Sequence, residues 1–518
     1  MSGCKFGILL LVFFSLVNIS QAEEFNTIDF DWEAVVNYNE FQQDFFYLCD
    51  LLEDSHPGFI EEIGESEYRK QRHKIAGSLE LVVDRHKFAL ILQQFVSQLN
   101  DGHTQIYYGQ NYGELRLPFK FCWSGEDLVV ENVNWGTDLN LIGAKVLRIG
   151  SVSADSIESY LGSYVSAENK YWRRVKISSL MNKVGVLLSA GLMEVEDSLE
   201  VVLEQNGKSV IYTVEPVTEV KWLNPPEYPI TAKQNKFFDY DILEAENICY
   251  FQFNKFLDTQ SGQVYHDAGL VSDEDYGKYK HEINKMGGDF RIFLERMFMD
   301  IRENGIENLV IDLRNNGGGN SILSNQFFYH IALEKPLRTF TTSIKLSQLM
   351  NHYYPDTVEY YLNQLNSDFG LSVDLPYLYD MELETNEDYF SLISNGESIF
   401  FMPEPKHKFK GKLVFLTSNR TFSSAGDMVT IAYDNGIGTI VGEPMGQKPT
   451  SYGDILYFTL PNSGIEGGVS HKIFNRPLHS RSAEKSIIPH YQVDVDLYEK
   501  YIEGRDAVWE KALQVIGN

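Results

Sequence analysis

Residues 307–320 read ENLVIDLRNNGGGN. The first half is a continuous apolar run, the pattern of a strand buried on both faces, as parallel sheets require. The second half breaks into three consecutive glycines, 317–319. Glycines permit close backbone approach and dihedrals that other residues avoid. A tight turn or a helix start is one reading. A phosphate cradle is a poor one, because no GK[ST] follows. The third is a strand end that lets a substrate or an oxyanion approach the backbone.

Working outward, similar apolar runs occur at 247–253 (NICYFQF), 412–418 (KLVFLTS) and 436–444 (GIGTIVGEP). Helical patterns separate them, so an α/β core is expected over 236–518. Residues 339–405 fit this rhythm poorly and read as an insertion. Upstream, 111–235 is a run of short strand-like segments with a helical stretch near 165–192, and 218–236 carries three prolines, like a linker. Residues 23–110 read as a helical segment. In RHKFALILQQFVSQL (85–99), Phe88, Leu92, Phe95, Val96 and Leu99 form one helical face, which stops at Asn100-Asp101-Gly102.

At the N-terminus, MSGCK is followed by the apolar stretch 6–17 and by small residues at Ser20 and Ala22. This is the pattern of a secretory signal peptide, 1–22. The mature protein is therefore expected to be exported, periplasmic or extracellular, with no stable membrane insertion. Net charge is −29, spread along the chain, which excludes the basic footprint of a nucleic-acid binder. Beyond Cys4 the cysteines are Cys49, Cys122 and Cys249, an odd number with no CxxC pair. Neither a structural disulfide nor a zinc ribbon is expected. No HExxH occurs, and neither a metal nor a cofactor is expected.

The candidate chemistry lies in TFSSAGD, 421–427, directly after the 412–418 run. A strand running into a helix exposes a nucleophile, and the unpaired N–H groups of the helix start can bind an oxyanion. The same letters also read as a capping box, with Ser424 as cap and Asp427 three positions on. No GxSxG elbow exists in the chain. His103, in LNDGHTQI, could be a base or a helix-end dipole partner. Lys448, in the Gly/Pro-rich loop GEPMGQKPTSYGD, could be a base if burial lowered its pKa, or simply a solvated loop residue.

Taken in order, DGHT (101–104), DLRNNGGG (312–319), SSAGD (423–427) and GEPMGQK (442–448) resemble the tail-specific, or C-terminal processing, serine peptidase family, including its tricorn-like branch. LIGAKVLRIGSVSADSIESYL (141–161) resembles part of that family's PDZ-like domain, with Gly150 where Asn-Gly is usual. The resemblance implies a crotonase-like α/β catalytic core, an N-terminal helical segment and a PDZ-like β-rich module. It implies Ser424, the serine before Ala425, as nucleophile, with Ala425 and Gly317 or Gly318 giving oxyanion donors. The family uses either a lysine base, here Lys448, or a histidine, here His103, oriented by a downstream glutamate, here Glu484. The ordinary pKa of histidine favours His103. The family's "PD" pair after that glutamate is Pro489-His490 in this chain. The implied activity is hydrolysis of peptides or unfolded proteins. The rival expectation is a peptide- or ligand-binding protein on the same fold without catalysis.

Overall fold

The computed structural model describes residues 38–517 apart from 83, 109–114, 195–197, 206, 224–234, 268–272 and 382–385. The signal-peptide reading at 1–22 lies outside the described residues.

Apolar runs at 248–253, 308–312 and 412–417 build a central six-stranded sheet. Its order is Tyr491–Gln492, Thr439–Gly442, Lys412–Thr417, Asn308–Asp312, Ile248–Phe253, Phe238–Leu243. All neighbours are parallel except the last pair, which is antiparallel. Ile248–Phe253 and Asn308–Asp312 are buried at every position, as strands covered on both faces must be. Because the strands are parallel, the chain leaves Asp312, Thr417 and Gly442 at one edge. The glycine loop, the TFSSAGD turn and the GEPMGQK loop are thereby gathered together, at the edge where open α/β sheets place their sites.

A second, antiparallel sheet is built on the long hairpin Ser451–Thr459 and Glu466–Asn475. Residues 339–405, expected to be an insertion, supply it with Thr341–Leu346 and Tyr377–Met381. The two-residue strand Gln105–Ile106 pairs on its other side, with Gln105 opposite Gly468, and so ties DGHT to the C-terminal half of the chain. A third, antiparallel sheet orders Phe119–Ser124, Asp127–Val133, Lys145–Ile149, Leu199–Gln205 and Lys208–Val214. The helices Lys170–Leu180 and Val184–Ser189 lie within this module in sequence.

The N-terminal helices Glu40–Ser55, Glu65–Ser78 and Arg85–Val96 pack on the same core as the second and third sheets. Phe88, Leu92, Phe95, Val96 and Leu99 are all buried there. The last helix passes into a 3-10 turn, Ser97–Leu99, and ends where Asn100 takes the left-handed conformation, φ 49°. Asparagine tolerates that conformation better than most residues. Among the described residues no helix is long and apolar enough to cross a membrane. Cys49, Cys122 and Cys249 are free thiols.

Candidate active site

Arg314 forks onto Asp312 at 2.6 Å and onto Asp506 at 2.7 Å, so it fixes the strand end against the start of the C-terminal helix. Asn316 donates to Phe253 O at 2.8 Å and accepts the Gly318 N–H at 2.9 Å. Asn320 donates to Ser261 Oγ, also at 2.9 Å. The glycines between them let two backbones meet. A Cβ on Gly318 (φ 99°) would stand 2.6 Å from Ser423 Cβ and 2.9 Å from Ser424 N. One on Gly319 (φ 138°) would stand 2.2 Å from Phe256 O.

Against this loop the two serines behave differently. The helix Ser424–Asp434 begins with Ser423 as its N-cap residue, yet no side-chain cap bond forms, so the capping box is not made. Ser424 is fully buried. Its hydroxyl donates to Gly319 O at 2.6 Å and shares a 2.8 Å hydrogen bond with Ser321 Oγ. Ser423 has φ 54° and ψ −134°, a conformation that costs a non-glycine residue about 1–3 kcal/mol. Surrounding contacts hold it there. Its N–H donates to Gln447 Oε1 at 2.9 Å, and Gly426 leaves room for Gln447, since a Cβ would stand 2.3 Å from Gln447 Cβ.

The strained residue faces the histidine. His103 Nε2 lies 3.1 Å from Ser423 Oγ. Asp101 is fully buried behind it, with Oδ1 accepting the His103 backbone N–H at 2.9 Å and lying 3.7 Å from Nδ1. Its Oδ2 accepts from Thr104 N at 3.1 Å and Ser470 Oγ at 2.6 Å, and lies 3.4 Å from His56 Nε2. His56 Nδ1 accepts the Gly58 N–H at 3.1 Å, so the proton of that ring sits on Nε2, toward Asp101. Burial alone would raise the Asp101 pKa. The His103 and His56 hydrogen bonds outweigh it and hold the carboxyl well below its ordinary value. Burial alone would lower His103. The hydrogen bond and charge of Asp101, with the charge of Glu168, outweigh it and raise the ring above its ordinary value. The His103 ring packs at 4.7 Å on Phe422, which stacks at 4.0 Å on Trp172.

A family model described as peptidase family S41 matches residues 281–493. The matched stretch carries the DLRNNGGG, SSAGD and GEPMGQK segments. The chain is a serine peptidase. Two solved structures share its fold. Mature CPAF is 13% identical with a TM-score of 0.59, covering 92% of this chain and 95% of that one. Mature CPAF complexed with lactacystin is 14% identical with a TM-score of 0.60, covering 92% and 99%. The photosystem II D1 C-terminal processing protease aligns at 13% identity with a TM-score of 0.40, covering 93% and 98%. No curated protein matches the sequence.

The Gly318 N–H is taken by Asn316, and the Ala425 N–H donates to Phe422 O at 3.3 Å. Gly317 borders open space, with nothing within 4 Å of an added Cβ. Lys448 is half-buried. Burial and then Lys485 lower its pKa, opposed by Glu62, Glu168 and Asp101. No hydrogen bond or ion pair among the described residues joins Lys448 to either serine. Glu484 accepts from Arg476 at 2.8 Å and Arg481 at 2.9 Å, and among the described residues no hydrogen bond or ion pair joins it to His103. The acids beside the ring are instead Asp101 and Glu168, neither singled out in the sequence. Asp101 was legible as the neighbour of His103 in DGHT. Nothing in SAENK marks Glu168.

Proposed function

We propose that the chain is an exported endopeptidase whose nucleophile is Ser423 rather than Ser424. Ser423 Oγ attacks the peptide carbonyl while His103 Nε2 takes its proton, and the same nitrogen then protonates the leaving amine. Asp101 holds the ring with Nδ1–H toward Oδ1 and stabilises the imidazolium that forms. The carrying observation is the 3.1 Å contact between Nε2 and a serine held in a strained turn. Strain at such a turn is a reason to look for function, and here a base stands opposite it.

The residue after the nucleophile is then Ser424, the first residue of the helix. Its N–H lies beside Gly318 and is one of the groups a helix start leaves without an intrahelical partner. We assign it as an oxyanion donor, together with the backbone at Gly317. The Ser424 hydroxyl fastens the turn to Gly319 and transfers no proton. Lys448, flanking Gln447, is assigned to substrate contact. The acid role expected for Glu484 passes to Asp101, because Glu484 is engaged by two arginines. The third sheet is read as the peptide-handling, PDZ-like module and the central sheet as the crotonase-like core. Export rests on the signal-peptide pattern of 1–22.

The test is peptide hydrolysis by Ser423→Ala and Ser424→Ala side by side. Loss only in the Ser423 variant supports the assignment, and loss only in the Ser424 variant overturns it.

A further inference from the structure

We propose that Asp101 Oδ1, His103 Nδ1 and Glu168 Oε1 form a binding site for a divalent cation of the zinc type, and that its occupation switches the base off. The proposal rests on His103 being the general base. The binding itself does not.

Three donors converge from two segments, Asp101 and His103 from DGHT and Glu168 from SAENK, and all three residues are buried. One ligand atom from each lies within 4.8 Å of the other two. Nδ1 stands 3.7 Å from Asp101 Oδ1 and 3.9 Å from Glu168 Oε1. A tetrahedral zinc with bonds near 2.0 Å separates its ligands by roughly 3.3 Å, so closure needs about half an ångström along the two His103 edges and up to about 1.5 Å between the carboxylates. One imidazole and two carboxylates are a donor set that zinc accepts.

Glu168 supplies the independent observation. It is 6% exposed, and neither carboxylate oxygen has a well-formed hydrogen bond to a described residue. The amides of Gly102 and of Glu168 itself are weak partners that oppose the effect of burial. A buried carboxylate without partners is costly unless it is protonated or faces a cation. Asp101 is ready in a complementary way. Its Oδ2 is taken by Thr104, Ser470 and His56, while Oδ1 faces the amide and the ring of His103. A pocket adjoins the cluster. Glu168, Asn100 and Asn169 line an open pocket of about 800 Å³. Of the four cations on its wall, Lys170 is paired with Glu126 and Arg481 with Glu484, and the others are Arg173 and Lys485.

The consequence follows from the ring. Catalysis needs the Nε2 lone pair toward Ser423 and the proton on Nδ1. A metal on Nδ1 leaves the neutral ring's proton on Nε2, so Nε2 donates to Ser423 and no longer accepts from it. The ring stays neutral, and a protonated Glu168 releases its proton on binding.

The experiment titrates zinc into the full-length Ser423→Ala protein against a chromophoric chelator. One equivalent bound is expected, and cobalt in its place gives the visible bands of a four-coordinate site. His103→Ala abolishes both, and Glu168→Gln weakens binding by about tenfold or more. In the parent enzyme zinc inhibits peptide hydrolysis at the same midpoint, and EDTA reverses it. In Glu168→Gln the midpoint, relative to that variant's own zinc-free rate, rises by the same factor. Absence of bound metal in Ser423→Ala overturns the proposal, as does binding that His103→Ala and Glu168→Gln leave unchanged. Should Glu168→Gln fail to fold, the cobalt spectra of Ser423→Ala with and without His103→Ala decide it. Binding through these residues that leaves hydrolysis untouched overturns the switch and the assignment of His103 as base, but not the cation site.

Discussion

His103 Nε2 stands 3.1 Å from Ser423 Oγ although 320 residues of chain separate them. The neighbouring Ser424 hydroxyl points instead to Gly319 O at 2.6 Å. Two adjacent serines are thus sorted by one backbone turn. Ser423→Ala is expected to lower kcat by about 10³-fold or more. Ser424→Ala removes only a hydroxyl that braces the turn. It is expected to keep activity within about tenfold and to cost about 1–2 kcal/mol of stability. Steady-state kinetics with thermal unfolding of both variants measures the difference.

The glycine loop gives a second contrast. Gly318→Ala drives a methyl into Ser423 Cβ and Ser424 N at a positive φ, with backbone on the far side that cannot swing away. Loss of most activity is expected, with destabilisation of about 2–4 kcal/mol. Gly317→Ala meets nothing within 4 Å, and φ there is not positive. It should stay within about 1 kcal/mol of the parent. Denaturant unfolding of the pair tests the claim that close approach, and not chain flexibility, requires the second glycine.

Asp101 raises the pKa of His103, first through its hydrogen bond and then through its charge, against the opposing effect of burial. The base proposed here works only when neutral, so the acid limb of kcat/KM is expected above the ordinary histidine value of about 6.5. Asp101→Asn removes the negative charge, and the limb should move to lower pH. The plateau should fall as well, by about 10²-fold or more, because the ring loses its orienting acceptor. A pH–rate profile that keeps its midpoint after the substitution contradicts the role given to Asp101.

Strands at 248–253, 308–312 and 412–417 were legible because buried parallel strands are uninterrupted apolar runs bounded by turn residues. The face Phe88, Leu92, Phe95, Val96 and Leu99 was legible from helical spacing. The insertion expected at 339–405 fits no local pattern because its strands join a sheet assembled from residues more than a hundred positions away. At the site, the segments that meet were readable from their order. Which serine faces the base was not, because the positive φ of Ser423 is imposed by Gly318, Gln447 and Gly426 and leaves no mark on the serine itself. The acids beside His103 divide in the same way. Asp101 is two residues from the ring, while Glu168 arrives from a helix start in another module.

Glu484 was expected to orient the base, and the structure gives it to Arg476 and Arg481. Arg476 is completely buried and also binds the buried Asp434, with Nε to Oδ2 at 3.0 Å. Glu484 is 37% exposed on its side chain. Glu484→Gln should therefore change kcat less than about threefold and stability by less than about 1 kcal/mol. Arg476→Met strands the Asp434 carboxylate and should cost about 3–5 kcal/mol. A fall of about 10³-fold in kcat for Glu484→Gln, with stability intact, would restore Glu484 as the acid that orients the base.

Glu168 makes stability fall with pH over a definable window. Burial raises its pKa to about 7, with His103 opposing, whereas in the unfolded chain the carboxyl titrates near 4.5. Between these values the folded protein binds more protons than the unfolded chain, so stability drops as pH rises through this range. Glu168→Gln keeps the shape and removes the charge. Its gain in stability over the parent should be small at pH 4.5 and grow to about 1–3 kcal/mol at pH 8. His103 acts in the same direction at higher pH. Its folded pKa is raised, so its contribution is present below 6.5 and lost as pH climbs through the folded value. Unfolding of parent and variant across pH 4.5–8, in EDTA to keep the cation site empty, separates the two. The Glu168 part vanishes in the variant, and a residual decline above pH 6.5 belongs to His103.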